Sequence, residues 1–230
     1  MAIVTGASRG IGRATAEAIA REGAHVVLAA RDAGSLATAV ETISEEGGKA
    51  TSAPTDVSDE GEVERLFGAA RELGPIAALV CGAGVLIRAD IDQTTTEAWT
   101  RTLDVNLTGT FLCCRAAFRQ MRETGGGLIV NIASLTGVYA TEKFPGLAAY
   151  NVSKSGVVGL TESLAVEGRP HGIAAICLSP GAVETEMLHL ANPSLRARLG
   201  PADVAELIVG LLDHRAIALS GANIPLFSNA

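Results

Sequence analysis

Two groups of residues in the 230-residue chain have the types and spacing to do chemistry. The first is Tyr150-Asn151-Val152-Ser153-Lys154, a phenol and an ammonium four positions apart. On a helix those two side chains share a face. A tyrosine of pKa ~10 is a poor base at neutral pH, but a nearby cation favours its ionised form, so the pair could give or take a proton near working pH. Tyr139 and Lys143 have the same spacing, yet Gly137 precedes them and Pro145-Gly146 follows. In such a loop the spacing implies no shared face. Tyr150 and Lys154 are the candidates, and Tyr139 reads as a loop or pocket-wall residue.

The second group is the turn Thr5-Gly6-Ala7-Ser8-Arg9-Gly10-Ile11-Gly12, between the first apolar run and the first helical segment. A Gly-rich turn there lets backbone approach a pyrophosphate, while the helix start offers unpaired N–H groups and partial positive charge. On the first βα turn of a βαβ unit, this spacing argues for a dinucleotide. An acidic residue at the tip of the second strand would hold a ribose 2′-hydroxyl and repel a 2′-phosphate. Here Ala30 leads into Arg31, whose planar fork suits a phosphate, and Arg9 offers a second cation. The reading favours NADP over NAD. Asp32 is the residue that speaks for NAD, unless it caps the next helix.

The elements that must position these groups follow from the pattern of apolar residues. Short apolar runs occur at Ala2–Thr5, His25–Ala30, Ala50–Thr55 (weakly), Ile76–Cys81, Leu128–Ala133, Ile173–Leu178 and Ala222–Phe227. Segments of helical character lie near 11–22, 33–46, 59–72, 95–122, 147–168 and 202–213. This alternation predicts an α/β fold, a doubly wound parallel sheet of about seven strands with helices on both faces. The runs are continuously apolar, as strands buried on both sides are. No internal boundary interrupts residues 1–230, which read as one domain. Asp32, Ser58 and Pro201 stand where helices should begin, and Gly23, Gly47, Gly74, Gly125 and Gly172 where they should end. Leu107 to Met121 is nearly apolar all round, which predicts the sheet on one side and another subunit on the other, in a homodimer or homotetramer.

Composition narrows the classes further. A 48% hydrophobic chain with 19% charged residues is not disordered. A net charge of −7 argues against nucleic acid or an anionic membrane surface as the main partner. No apolar run is as long as a membrane span, and no leader is recognisable before the first turn, so a cytoplasmic location is the expectation. Cys81, Cys113, Cys114 and Cys177 lack zinc or redox spacing and read as buried, reduced thiols; the four histidines share no ligand spacing, so no metal is expected.

In family order, the TGASRGIG turn, Asp56-Val57, Cys81-Gly82-Ala83-Gly84, Asn106, Ser134, Tyr150/Lys154 and Pro180-Gly181 resemble the short-chain dehydrogenase/reductase family in its single-domain form. The resemblance runs from Thr5 to about Phe227 and is closest in style to 3-oxoacyl-carrier-protein reductases. It implies a Rossmann-type fold and a tetrad of Asn106, Ser134, Tyr150 and Lys154. Tyr150 would exchange a proton with a substrate carbonyl as the nicotinamide delivers hydride. Ser134 would hydrogen-bond the substrate oxygen, Lys154 would lower the Tyr150 pKa and bind the nicotinamide ribose, and Asn106 would hold a relay water. It further implies that Gly6, Ser8, Arg9, Gly10, Ile11 and Gly12 cradle the pyrophosphate, with Arg31 at the ribose. Asp56 and Val57 would meet adenine, Ala83 and Gly84 the adenine ribose, and Pro180, Gly181, Val183 and Thr185 the carboxamide end.

Three departures from the family pattern stand out. Cys81-Gly82 replaces an Asn-Asn pair, which should lower local rigidity; the Ser134-to-Tyr150 span is long; and the lid near 184–199 is short. The expected activity is NADP(H)-dependent exchange between a ketone and a secondary alcohol, with a small-molecule substrate that could be carrier-protein-bound. The alternatives are an NAD-dependent alcohol or sugar dehydrogenase and a non-catalytic nucleotide-binding regulator.

Overall fold

In the computed structural model, which describes residues 1–212 and 214–227, the apolar runs become the strands β1 (Ala2–Thr5), β2 (His25–Ala30), β3 (Lys49–Pro54), β4 (Ala78–Cys81), β5 (Gly127–Ile132), β6 (Ile173–Pro180) and β7 (Asn223–Leu226). They form one parallel sheet in the order β3-β2-β1-β4-β5-β6-β7. The seven-stranded α/β architecture is the one the alternation predicts. Because the sheet is parallel, every strand ends at the same edge, and the order reverses between β1 and β4. That reversal opens a crevice at the carboxyl ends.

Helices cover both faces. On one side α1 (Gly10–Arg21), α2 (Ala33–Glu45) and α8 (Pro201–Leu211) pack Ile19, Leu36, Ile43, Val204 and Ile208 against Val4, Val26 and Leu28. On the other, α3 (Glu60–Leu73) and α5 (Gly109–Thr124) pack Phe67, Leu112 and Met121 against Ile3, Val27 and Ile129. Neighbouring strand residues thus feed opposite cores, which is why the strands are apolar at every position. The exceptions are the two edge strands, β3 and β7, neither of which has a buried residue, and at β3 this explains the weak signal. The remaining helices are α4 (Thr96–Leu103), α6 (Ala148–Gly168) and the short α7 (Glu186–Ala191). Among the described residues, no helix is long and apolar enough to cross a membrane.

Two boundaries differ from the sequence reading. Asp59, not Ser58, caps α3, accepting a hydrogen bond from Glu62 N; the Ser58 hydroxyl is diverted to Asp56 Oδ1 at 2.6 Å. The single helix expected over 95–122 is divided by a π turn at Asp104–Thr108, between α4 and α5. The expected caps Asp32 and Pro201 do open α2 and α8. The last residue of the expected 202–213 helix, and residues 228–230 of the expected domain, lie outside the described residues.

A single-turn 3-10 helix, Leu135–Gly137, brings the segment after β5 onto α6. Its approach is close: a Cβ on Gly137 would lie 2.6 Å from the Lys154 carbonyl carbon. Gly159, farther along α6, has nothing within 4 Å of its own Cβ position. The two glycines should therefore respond oppositely. Gly137→Ala should lower the unfolding free energy by about 1–3 kcal/mol through overpacking. Gly159→Ala should raise it by roughly 0.5–1 kcal/mol through helix propensity. Urea denaturation midpoints compare the pair directly; a neutral Gly137→Ala would refute the close contact.

Candidate functional site

Lys154 is the buried centre of the site. It lies in the second turn of α6, is only 5% exposed, and reaches back to the sheet, where its Nζ donates to the Ile132 carbonyl at 2.8 Å. One turn earlier is Tyr150, and the ammonium sits 5.7 Å from its ring centroid. The shared helical face read from the spacing is present. Ser134 follows β5 and caps the 3-10 turn, its Oγ accepting from Thr136 Oγ1 at 3.2 Å.

Asn106 sits in the π turn, wholly buried. Its Oδ1 accepts from Val85 N at 2.8 Å, and its Nδ2 donates to Val85 O at 2.9 Å and to Ser153 Oγ at 3.1 Å. Both amide donors are used, so the side chain ties the segment after β4 to the start of α6. A Cβ on Gly84 would stand 3.4 Å from Asn106 Oδ1 and 3.7 Å from Lys154 Nζ, which places these two groups on one small gap. Ser153, unremarked in the sequence, also donates to Tyr150 O at 2.7 Å. The π turn supplies the extra backbone residue that such insertions often place at functional sites.

Burial sets the electrostatics. It pushes the Tyr150 phenol up to about 12, with the Ser134 hydroxyl working the other way. It pushes the Lys154 ammonium down to about 8, partly countered by Cys177 and Cys81. The expected lowering of Tyr150 by Lys154 is not what this arrangement produces: desolvation raises the phenol, and the group that opposes it is the Ser134 hydroxyl. At neutral pH the phenol keeps its proton and the amine its charge. Cys81 and Cys114 approach to 3.9 Å between sulfurs, and Cys114 donates to Asn131 Oδ1 at 3.3 Å. These contacts stand where the family pattern has asparagine.

Along the same edge, Gly6 to Arg9 turn between β1 and α1, and Gly10 to Gly12 open the helix. Gly6 has φ +70°, and its Cβ would lie 2.6 Å from Gly82; a Cβ on Gly12 would meet Gly6 O at 2.3 Å. Only glycine admits this packing. The α1 start has no side-chain cap and no acidic residue in its first turn, whereas Asp32, Asp59 and Thr95 cap α2, α3 and α4. Bare N–H groups beside a close-packed turn fit a pyrophosphate. Ser8 is half-buried in the turn and Ile11 packs into the core behind it. Thr5 Oγ1 accepts from Gly82 N and Ala83 N, at 3.2 and 3.3 Å, holding the two glycine turns together.

At the outer end, Arg31, Pro54, Thr55, Asp56, Glu62 and Arg65 line a pocket of about 370 Å³. The Asp56 carboxyl is held low although burial works upward: the Ser58 hydroxyl and N–H, and the Arg101 guanidinium, favour its charged form. Arg101 on α4 reaches Asp56 Oδ2 at 3.2 Å. Asp32 is spoken for, accepting from Ser35 N at 2.7 Å as the α2 cap. Arg9 does not join Arg31; it pairs with Glu186 at the start of α7. Val57 and Val183 turn their side chains into the core, each 5% exposed. Thr185 caps α7, with its methyl 3.5 Å from where a Gly10 Cβ would be, and Gly181 N, just past Pro180, donates to Leu226 O at 2.9 Å. Tyr139 is 95% exposed, a loop residue. Arg65, Arg101 and Glu186 escaped the sequence reading. Glu62-x-x-Arg65 spacing on a helix could have flagged Arg65; nothing local marks the other two.

Comparison with known proteins identifies the family. A family model described as short chain dehydrogenase matches residues 1–195. The chain is 34% identical over 210 residues to an uncharacterized oxidoreductase of Staphylococcus aureus strain MW2, covering 91% of this chain and 89% of that one. It is 38% identical over 220 residues to glycine betaine reductase ATRR of Emericella nidulans, spanning 91% of this chain but 17% of that longer protein. A crystal structure of an actinorhodin polyketide ketoreductase variant with NADPH superposes with a TM-score of 0.90 at 30% identity, over 99% of this chain and 95% of that one. The chain belongs to the short-chain dehydrogenase/reductase family, oxidoreductases that use NAD(P) to interconvert alcohols and ketones.

Proposed function

We propose that the protein is an NADP(H)-dependent oxidoreductase in which Tyr150 exchanges a proton with the oxygen of a ketone/secondary-alcohol pair. The observation that carries this reading is the buried Lys154 ammonium, 5.7 Å from the Tyr150 ring and anchored to Ile132 O. When bound, the nicotinamide supplies or accepts the hydride. Tyr150 donates its proton to the carbonyl oxygen in reduction and takes it back in oxidation. Lys154 favours the phenolate that proton donation leaves behind. The Ser134 hydroxyl hydrogen-bonds the substrate oxygen as negative charge develops there. Asn106 acts through position, since its amide donors are bound to Val85 and Ser153.

Arg31 at the end of β2 and the engagement of Asp32 in a cap support NADP over NAD. The segment 184–199 serves as a short lid, steadied by Arg88, whose Nη1 donates to Ala191 O at 2.9 Å. Of the arginines that could meet an acidic carrier protein (Arg115, Arg119, Arg122, Arg196 and Arg198), Arg115 and Arg119 are paired with Glu60 and Glu64 within the chain, which lends some support to a small free ketone over a carrier-bound one. Phe111, Val152 and Val166, exposed on α5 and α6, support a homodimer or homotetramer.

Tyr150→Phe should cut turnover by about 10²–10⁴-fold while NADPH affinity measured by fluorescence stays near wild type. Retained turnover would remove Tyr150 from the chemistry. In reduction, kcat/KM should hold a plateau at neutral pH and decline above about pH 8, where Lys154 loses its proton while the phenol stays protonated. A plateau reaching pH 10 would refute that role for the amine. Arg31→Ala should weaken NADPH about tenfold or more and NADH little, as loss of a charge-assisted contact requires. Equal losses in the two binding titrations would end the argument for the 2′-phosphate.

A further inference from the structure

We infer that Arg88 is a specificity-determining residue that receives a carboxylate of the substrate, so that the ketone and alcohol are an oxo acid and a hydroxy acid. The inference rests on the oxidoreductase reading above and deepens it. Three segments around the site meet at this side chain. Arg88 follows β4, four positions after Gly84, whose Cβ would stand 3.7 Å from Lys154 Nζ. Its neighbour Ala89 donates through N to Gly146 O at 3.1 Å, and Gly146 lies four positions before Tyr150. Arg88 Nη1 donates to Ala191 O at 2.9 Å, at the end of α7 in the lid.

The side chain is held in place but not neutralised. On one side Val85 is bound through N and O to Asn106, and on the other Ala89 is bound to Gly146. Gly146 has φ +79°, and its Cβ would lie 2.9 Å from Arg88 Cγ and 3.2 Å from Nε, so the arginine stem rests against a bare Cα. A guanidinium has five N–H donors. Among the described residues only Nη1 has a partner, and that partner is an uncharged carbonyl. Among the described residues Arg88 also forms no ion pair, although Asp90 and Asp92 follow on the same segment. Nearby cations are bound within their own segments. Lys143 Nζ donates to Val138 O at 2.6 Å, Arg196 Nη1 to Pro193 O at 2.9 Å, and His189 pairs with Glu184 at 2.7 Å. One planar fork matches a carboxylate in charge and shape, whereas a phosphate group, nearly doubly charged, calls for a second cation. In a chain of net charge −7, an anionic substrate must be drawn by a fixed local cation of this kind.

Steady-state rates with 4-oxopentanoate, 5-oxohexanoate and their methyl esters separate the anion from the carbonyl. Wild type should prefer at least one acid over its ester by about tenfold in kcat/KM, mainly through KM, and the preference should shrink as salt is raised. Arg88→Gln should cut that preference roughly tenfold, and Arg88→Lys should keep part of it, as a point charge without the fork does. Calorimetric titration of the same four compounds into the protein with saturating NADP+ reads the order without turnover. An equal loss for acid and ester in Arg88→Gln would make Arg88 a latch for the lid and overturn the inference. The absence of acid preference in both rate and binding would overturn it too, while Tyr150-dependent turnover of the esters would leave the oxidoreductase reading standing. Acid-selective binding that Arg88→Gln abolishes, without turnover of any ketone, would keep the Arg88 assignment and remove the oxidoreductase reading.

Discussion

A single buried ammonium organises the residues gathered at the carboxyl end of β5. Lys154 is taken out of water at a cost visible in its pKa, down from 10.5 to about 8. One backbone carbonyl, Ile132 O, receives its proton donor at the end of β5. That hydrogen bond fixes the rotation of α6 about its axis relative to the sheet, and the rotation decides where Tyr150 points one turn earlier. Asn106 pins the start of the same helix through Ser153. Gly137 lets the turn carrying Ser134 lie against the Lys154 backbone. A shift of α6 by one residue would undo all three relations together.

The fold makes such convergence cheap. Ser134 follows β5 and Gly84 follows β4, while Asn106 lies in the crossover between those strands. A parallel sheet delivers them to one edge without any long loop. The π turn shows how local regularity yields to this demand. Two mutual hydrogen bonds between Asn106 and Val85, with a third to Ser153, favour one extra residue in the helical turn, and regular pairing resumes in α5.

What could be read in the sequence was whatever depends on near neighbours. Strands declared themselves through continuous apolar runs, and Tyr150 with Lys154 through helical spacing. Interactions between distant positions left no such mark. Arg101 and Asp56 are 45 residues apart, and Arg9 and Glu186 are 177 apart. The π turn was invisible too, and the Val85 backbone that its Asn106 binds lies 21 residues upstream. Ser58 and Asp59 are both good caps, and only the competing carboxylate of Asp56 decides between them. The direction of the Tyr150 shift was missed for a related reason. A nearby cation could be read from spacing, but the depth of burial opposing it could not.

The two ends of the crevice are built to different tolerances. At the chemical end, groups are buried and their hydrogen bonds have no solvent to exchange with, so geometry is held where small displacements are costly to rate. At the phosphate end, Arg9, Glu186 and Arg65 are more than half exposed. Ion pairs in such places contribute little to stability, and a guanidinium can change partner at small cost. That looseness suits a site through which cofactor must enter and leave. In a chain of net charge −7, it also means that attraction for a polyanion must come from this local cluster of arginines rather than from the molecule as a whole. On the proposed function, affinity and chemistry would therefore be separable: charge near β2 and β3 would govern which dinucleotide stays, and the buried amine near β5 would act on the substrate beside it.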